Sequence, residues 1–342
     1  MTRTRIAIVG LGMAVTPHAR GLMDLADTVE VVHAFSPSES RRKAFGEKFP
    51  FPLCDSLDTI LADHSVEAVA VLSPANSHRD IAIRCAEAGK HVLMEKPLEI
   101  TTARAEELVA ACRAAGVKLG VVLQHRFRPA AMKLAELLRA GDLGAIVGCS
   151  AVIRLWRPQS YYDEPGRGTF ARDGGGVLIS QGIHTLDLML SLAGPVDQVA
   201  GFATTTPVHR METEDMVCAA ARFASGAIGA IDATTAAFPG FPEEIILTCE
   251  KGTARLAGTE LLVQWHDGRR FAVEPDRPAG GTGADPMAFP HDWHRAVMAD
   301  FVQAIRTDRE PRVTGEEALK VHRLIDALIE TGRTGAPVSV AR

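Results

Sequence analysis

The sequence predicts an α/β protein: a doubly wound parallel sheet at the N-terminus, then a second α/β domain carrying a large, mostly antiparallel open sheet. Three observations predict it. Over residues 1–123, short apolar runs alternate with longer stretches of helical periodicity, the pattern of a parallel sheet covered on both faces. The first apolar run ends in Gly10-Leu11-Gly12 and opens into a helix-like stretch. From 196 to about 273 strand-like runs follow one another, joined by turns such as Ala224-Ser225-Gly226.

In chain order, RIAIVG (5–10) is a buried strand and LGMAVTPHARGLMDLA a helix. VEVVHAF (29–35) is a strand, SESRRKAFGEKF a helix and SLDTILA a short helix. VEAVAVLSP (66–74) is a strand and HRDIAIRCAEAG (78–89) a helix. HVLM is the next strand, 101–116 a helix and VKLGVVL (117–123) a strand. A helix within 124–144 leaves the first domain, and a strand begins at IVGCSAVIRLW. Residues 156–176 are a long loop rich in Gly, Arg and Tyr, and 177–194 a helix. QVAGFATTT, DMVCAAARF, AIGAIDATT, EEIILTCE, GTARLAG and LLVQW make the antiparallel sheet. After a Pro- and Gly-rich loop at 275–290, helices at about 291–306 and 315–332 close the chain.

The 342 residues are 46% hydrophobic and 23% charged, ordinary for a globular protein. That length favours two domains, 1–123 and 124–342, with the last helices able to pack back on the first. A net charge of −5 with dispersed basic residues argues against nucleic acid or an anionic membrane surface as partner. No apolar run reads as long enough to cross a bilayer, and the N-terminus lacks the pattern of a secretory signal. Cys54, Cys85, Cys112, Cys149, Cys218 and Cys249 show no metal-type spacing. No metal is expected, and the thiols read as reduced, in a cytoplasmic protein.

Ligands of a doubly wound sheet bind beyond the carboxyl ends of its strands. Gly10, Ser73-Pro74, Glu95-Lys96-Pro97 and Gln124 all stand at such ends. Gly10-Leu11-Gly12-Met13-Ala14-Val15 carries the first two glycines of a dinucleotide fingerprint, one for the tight turn and one for close approach of a pyrophosphate. Val15 replaces the third. An acid at the tip of the second strand would bind a ribose 2′-OH and mark NAD. The tip here is Phe35-Ser36-Pro37-Ser38, followed by Arg41 and Arg42, which leans towards the 2′-phosphate of NADP.

In the second domain, Tyr161, Tyr162, Arg154 and Arg157 argue that the long loop is functional rather than disordered. The triple glycine 174–176 precedes a helix on which Ser180, His184 and Asp187 are spaced to share a face.

Gly10-x-Gly12, Glu95-Lys96-Pro97 and the triple glycine before a helix carrying His184, followed by a large antiparallel sheet, together resemble the Gfo/Idh/MocA family of pyridine-nucleotide sugar oxidoreductases over nearly the whole chain. The resemblance implies a Rossmann domain, a substrate domain whose broad sheet often mediates assembly, and thus a homo-oligomer, a dimer or tetramer. It implies hydride transfer between nicotinamide C4 and a carbon of a sugar, cyclitol, uronate or nucleotide sugar. Met13, Ala14, Ser36, Arg41, Gln124 and the turn Ser73-Pro74-Ala75-Asn76-Ser77-His78 are then expected at the cofactor, and the peptide before Pro97 is expected to be cis. Many members place an aspartate four residues before the histidine, where this chain has Ser180. Gln181-Gly182-Ile183-His184-Thr185-Leu186-Asp187 and the loop from Trp156 to Thr169 are similar to the branch that acts on amino-sugar nucleotides and uronates.

On this basis Lys96 would stabilise a developing alkoxide and His184 would exchange the proton. Asp187 would orient the imidazole, and Glu95 would position Lys96 or its turn. Arg126, Arg157, Tyr161 and Tyr162 would face the substrate or the nicotinamide, Ser180 and Asp187 would also stand at the substrate, and an anionic or polyhydroxylated substrate is expected. Two other functions use the same fold: a regulatory protein that only senses the cofactor, and a glycoside hydrolase that oxidises its sugar transiently.

Overall fold

The structure, a computed structural model, describes residues 3–274 and 290–342, so 275–289 of the expected loop lie outside the described residues. Up to Gln124 its elements are β1 (Thr4–Val9), α1 (Val15–Asp24), β2 (Val29–Phe35), α2 (Glu39–Gly46), β3 (Leu53–Cys54), α3 (Leu57–Ala62), β4 (Ala68–Val71), α4 (His78–Glu87), β5 (His91–Met94), α5 (Thr102–Ala114) and β6 (Leu119–Val121). Then come α6 (Pro129–Arg139), β7 (Ile146–Arg154), α7 (Gln159–Tyr162), α8 (Phe170–Asp173) and α9 (Ile183–Ala193). They are followed by β8 (Val196–Thr204), β9 (Met216–Phe223), β10 (Ile228–Thr234), β11 (Glu244–Cys249), β12 (Gly252–Ala257), β13 (Glu260–Trp265) and β14 (Arg270–Val273). The chain ends with α10 (Asp292–Arg306), α11 (Gly315–Thr334) and β15 (Val338–Ser339).

Two compact units divide these elements. The first joins Met1–Gln124 to Pro290–Leu319. Its six strands pair in parallel in the order β3-β2-β1-β4-β5-β6. Ile6, Ile8, Ala68, Val69, Val92 and Leu93 are buried, as central parallel strands covered on both faces require. Ser38, Ser56 and Thr101 start α2, α3 and α5 by accepting from Arg41 N, Thr59 N and Arg104 N. The strand order reverses between β1 and β4, so the loops after these two strands flank the crevice where such sheets bind ligands. The helix α10 packs on α1 within this unit.

The second unit joins His125–Phe289 to Lys320–Arg342. Its nine strands run β14-β13-β12-β11-β7-β10-β9-β8-β15. In β9, buried Val217, Ala219, Ala221 and Phe223 alternate with more exposed neighbours, so one face of the sheet meets the core. The sheet departs from the expected one in two ways. Its central pair, β10 with β7, is parallel, because β8 and β9 intervene and return the chain in the direction of β7. The strands β14 and β15, too short to show a clear period, extend its edges.

Two further expectations are corrected. The long loop 156–176 contains the one-turn helices α7 and α8. The stretch Phe170–Ala193 is long and apolar enough to cross a bilayer by length and composition, and 83% of its most apolar window is buried inside the protein. Its hydrophobicity is that of a helix enclosed by its own domain.

Candidate functional site

The first unit gathers its chemistry at the carboxyl ends of β1, β2, β4, β5 and β6. Gly10 adopts a φ of +104°, and a Cβ there would stand 2.5 Å from Leu72 C and Ser73 N. The close approach of the β1 and β4 tips therefore requires glycine. Gly12 differs, since a Cβ there would meet no atom within 4 Å. Its missing side chain leaves open space at the start of α1, a cradle that fits a pyrophosphate. Met13 is 56% exposed beside it, and Ala14 half-buried. Gln124 is buried, and its Oε1 has no hydrogen-bond partner among the described residues. An unmet acceptor at the end of the strand row fits a ligand amide. Both observations match a nicotinamide dinucleotide.

They also separate the two glycines by experiment. Gly10→Ala is expected to lower the melting temperature. Gly12→Ala is expected to keep it and to weaken dinucleotide binding by about tenfold or more, ~1.4 kcal/mol. Thermal unfolding and fluorescence titration of the two variants check this, and equal loss of stability in both would refute the distinction.

At the tip of β2, Arg42 donates to Ser36 O at 2.6 Å and Pro37 O at 3.3 Å, fixing the turn. Ser36 is buried and Arg41 exposed. After β4, Ser73 Oγ lies 2.8 Å from Ser77 Oγ, with Pro74 and Asn76 exposed. His78, expected at the cofactor, is buried with Nε2 2.8 Å from Ser73 O and Nδ1 3.0 Å from Pro97 O. Its ring is taken up in tying the two turns together, which corrects that assignment.

After β5, the Lys96–Pro97 peptide is cis. Glu95 is 8% exposed and accepts the Lys96 N–H at Oε2, 2.8 Å, while Oε1 lies 2.8 Å from His18 Nε2. Burial by itself would raise the Glu95 carboxyl, but the His18 hydrogen bond and the charges around it hold it down at about 2. His294 of α10, its ring 4.9 Å from that of His18, is pushed down to about 3, chiefly by burial.

In the second unit, the triple glycine meets Glu214. Gly176 N and Leu178 N donate to its two carboxylate oxygens at 3.0 and 3.1 Å, and Val177 N to its backbone O at 2.9 Å. A Cβ on Gly176 would lie 1.7 Å from Glu214 O, so only glycine fits. Burial raises the Glu214 carboxyl, against the pull of these N–H donors. The helix starts as a π-helix, Leu178–Gly182, before α9. Its wider turn shifts Ser180 relative to His184, so the even α-helical spacing assumed for Ser180, His184 and Asp187 does not hold.

His184 stacks on His125, centroids 4.8 Å apart. Asp187 is fully buried, and Arg126 grips it with Nε at 2.8 Å and Nη2 at 2.6 Å. The pair sets Arg126, expected to face the substrate, against Asp187, expected to orient His184, with both Asp187 oxygens accepting from it. Tyr162 is also reassigned from substrate to core: it is buried, its hydroxyl is 2.8 Å from Thr235 Oγ1, and burial raises its pKa. Arg157 is 4% exposed and donates to Trp156 O. Tyr161 is half-buried, with Arg167 bonded to its hydroxyl at 2.8 Å and stacked 4.2 Å from its ring, and Gln181 Nε2 3.3 Å from the same hydroxyl.

Sequence reasoning missed His125, Gln181, Glu214 and the pair His209–Asp215, whose Nδ1–Oδ2 distance is 2.7 Å while Nε2 reaches Arg157 O at 2.8 Å. Adjacent acids Glu214-Asp215 just before a strand were the available signal, because a strand seldom opens on two acids without a buried partner.

Residues 4–123 match the profile of an oxidoreductase family with an NAD-binding Rossmann fold, and 131–255 that of the GFO/IDH/MocA C-terminal domain. The chain is 29% identical over 309 residues to a D-xylose 1-dehydrogenase (NADP(+)) of Haloferax volcanii, spanning 89% of this chain and 90% of that protein. It is 27% identical over 348 residues to a D-apiose dehydrogenase of Paraburkholderia graminis, spanning 99% and 90%. The structure superposes on the WlbA dehydrogenase of Bordetella pertussis, solved with NADH and UDP-GlcNAcA, with a TM-score of 0.85, 28% identity and both chains fully covered.

Proposed function

The chain belongs to the Gfo/Idh/MocA oxidoreductase family, and from that premise we propose how it works. It is an NAD(P)-dependent oxidoreductase that transfers a hydride to or from the CH–OH carbon of a sugar-like substrate. The observation that carries this is the Glu95-Lys96-Pro97 turn at the end of β5, in the same sheet whose β1 leads into the open space at Gly12. Gly12 would admit the pyrophosphate and Gln124 Oε1 would offer an acceptor to the carboxamide. The bound nicotinamide supplies hydride exchange at C4. Lys96 stabilises the alkoxide that develops on the substrate oxygen, an effect that grows where water is excluded. His184 exchanges the proton, its ring plane set by His125.

The substrate we favour is an anionic sugar of the uronate type. The likeness to the WlbA dehydrogenase solved with UDP-GlcNAcA supports this, and Arg167, ion-paired with Glu164, sets Tyr161 beside Gln181 as an aromatic, hydrogen-bonding face for a sugar. For the cofactor we favour NADP, because the β2 tip carries hydroxyls and arginines where an NAD site has an acid. A homo-oligomer in the cytoplasm completes the proposal. Phe202, Ile228 and Val147 stand exposed on the open sheet, and six unpaired cysteines suit a reducing compartment.

The test is a fluorescence titration of NADPH and NADH, followed by an absorbance screen over uronates, aldoses, cyclitols and UDP-sugars. NADPH binding about tenfold tighter than NADH, with one reduced cofactor accumulating per sugar oxidised, is expected. Cofactor binding without turnover would favour a sensor. A free sugar released without cofactor reduction would favour the hydrolase.

A further inference from the structure

The mechanism above leaves unused the buried group that surrounds Glu95, the residue expected to position Lys96 or its turn. His18 of α1, Glu95 and His294 of α10 are 2%, 8% and 4% exposed, and their donor atoms lie within 4.8 Å of one another. The arrangement is hydrogen-bonded rather than metal-binding. His18 Nε2 and Glu95 Oε1 are 2.8 Å apart, whereas two ligands of one tetrahedral zinc stand about 3.3 Å apart. The second oxygen of Glu95 is already taken by the Lys96 N–H.

We infer that His18 and Glu95, enclosed by His294, form the mount of Lys96, a fixed buried anion that places its backbone and keeps its side chain an ammonium. The inference rests on the reading of Lys96 as the residue that stabilises the alkoxide. Glu95 is one residue from Lys96 and shares the turn closed by cis Pro97. The groups facing that carboxylate are His18 from α1, His294 from α10, His78 from α4, and Lys96 of its own segment. His78 contributes in a second way, since it holds the carbonyl of Pro97 and so the far side of the turn. A carboxylate desolvated in this way exerts far more on its neighbour than one in water. Its loss would favour the neutral amine, which cannot stabilise an alkoxide.

The test is the titration of Lys96 itself, read without substrate. The intact protein is labelled with trace acetic anhydride across a pH series, and acetylation of Lys96 is quantified by mass spectrometry. In Glu95→Gln, which keeps an acceptor for the Lys96 N–H, the labelling midpoint is expected to fall by about one pH unit. Glu95→Ala removes the same charge together with the acceptor and is expected to move the midpoint the same way, so the inference stays testable if one variant fails to fold. Glu95→Asp, which keeps the charge, should stay closer to the parent protein. An unmoved midpoint in the folded Gln and Ala variants overturns the mount. If the midpoint moves but Lys96→Met retains full turnover, the mount stands and the catalytic reading of Lys96 falls instead.

Discussion

Replacing Lys96 with methionine should lower kcat by about 10²–10³-fold, with dinucleotide affinity changed only a few fold. Methionine keeps the length and apolar stem of the side chain and removes only the charge. The turn around it is held by groups that do not depend on that charge: the Lys96 N–H on Glu95, the His78 bond to Pro97 O, and the buried strand β5. The loss therefore falls on the transition state, where the substrate oxygen becomes anionic, and less on substrate or cofactor binding. Lys96→Arg should rescue little, since a planar guanidinium cannot replace a compact ammonium in a fitted site. Steady-state kinetics on the substrate found by screening, beside a fluorescence titration of the dinucleotide, separates the two effects. A methionine variant within tenfold of the parent kcat would remove Lys96 from the mechanism.

Asp187→Ala should destabilise the second unit by about 3–5 kcal/mol, the largest stability loss expected from any single site residue. The side chains of Asp187 and Arg126 are 1% and 10% exposed, and the bond between them is bidentate. Alanine removes the bidentate partner of a guanidinium held in a nearly dry interior, and that loss is the main penalty. The double variant Arg126→Leu/Asp187→Leu removes both charges and should recover much of the loss. Urea unfolding of the parent, Asp187→Leu, Arg126→Leu and the double variant tests this as a double-mutant cycle. Purely additive losses would show that the pair is not coupled.

The candidate residues of the two units differed in how legible they were. On the cofactor side, position along the chain was enough, because a parallel sheet puts every strand end on one edge. Gly10, Gly12, Ser73, Lys96 and Gln124 could be placed there from the alternation of runs alone. His78 was legible as part of its turn but not as the tie between two turns, since its acceptors are backbone carbonyls with no sequence signature. The substrate side depended on side-chain partners distant in sequence. Arg126 and Asp187 are 61 positions apart, Tyr162 and Thr235 are 73 apart, and Glu214 reaches back 38 to Gly176. No periodicity encodes such pairs, so charged and aromatic residues of a loop were read as facing a ligand when several face each other. The π-helix before His184 was hidden for a similar reason, as apolar spacing over five residues does not distinguish its turn from an α-helical one.

The place of β7 in the second sheet has a kinetic consequence. It is the first strand of that sheet to be synthesised, yet it stands between β10 and β11, with strands on both sides. Each flank is built from local antiparallel neighbours, β8 to β10 on one side and β11 to β14 on the other, and these can form soon after they leave the ribosome. The parallel pairing of Ile228 with Gly148 waits until some 80 residues separate the partners. Such long-range closure is slow, and until it occurs β7 is an apolar strand with both edges unfilled. A charge placed at buried Ala151 should therefore reduce the yield of soluble protein far more than one at the rim strand β14, because it strikes the one strand on which both flanks must converge.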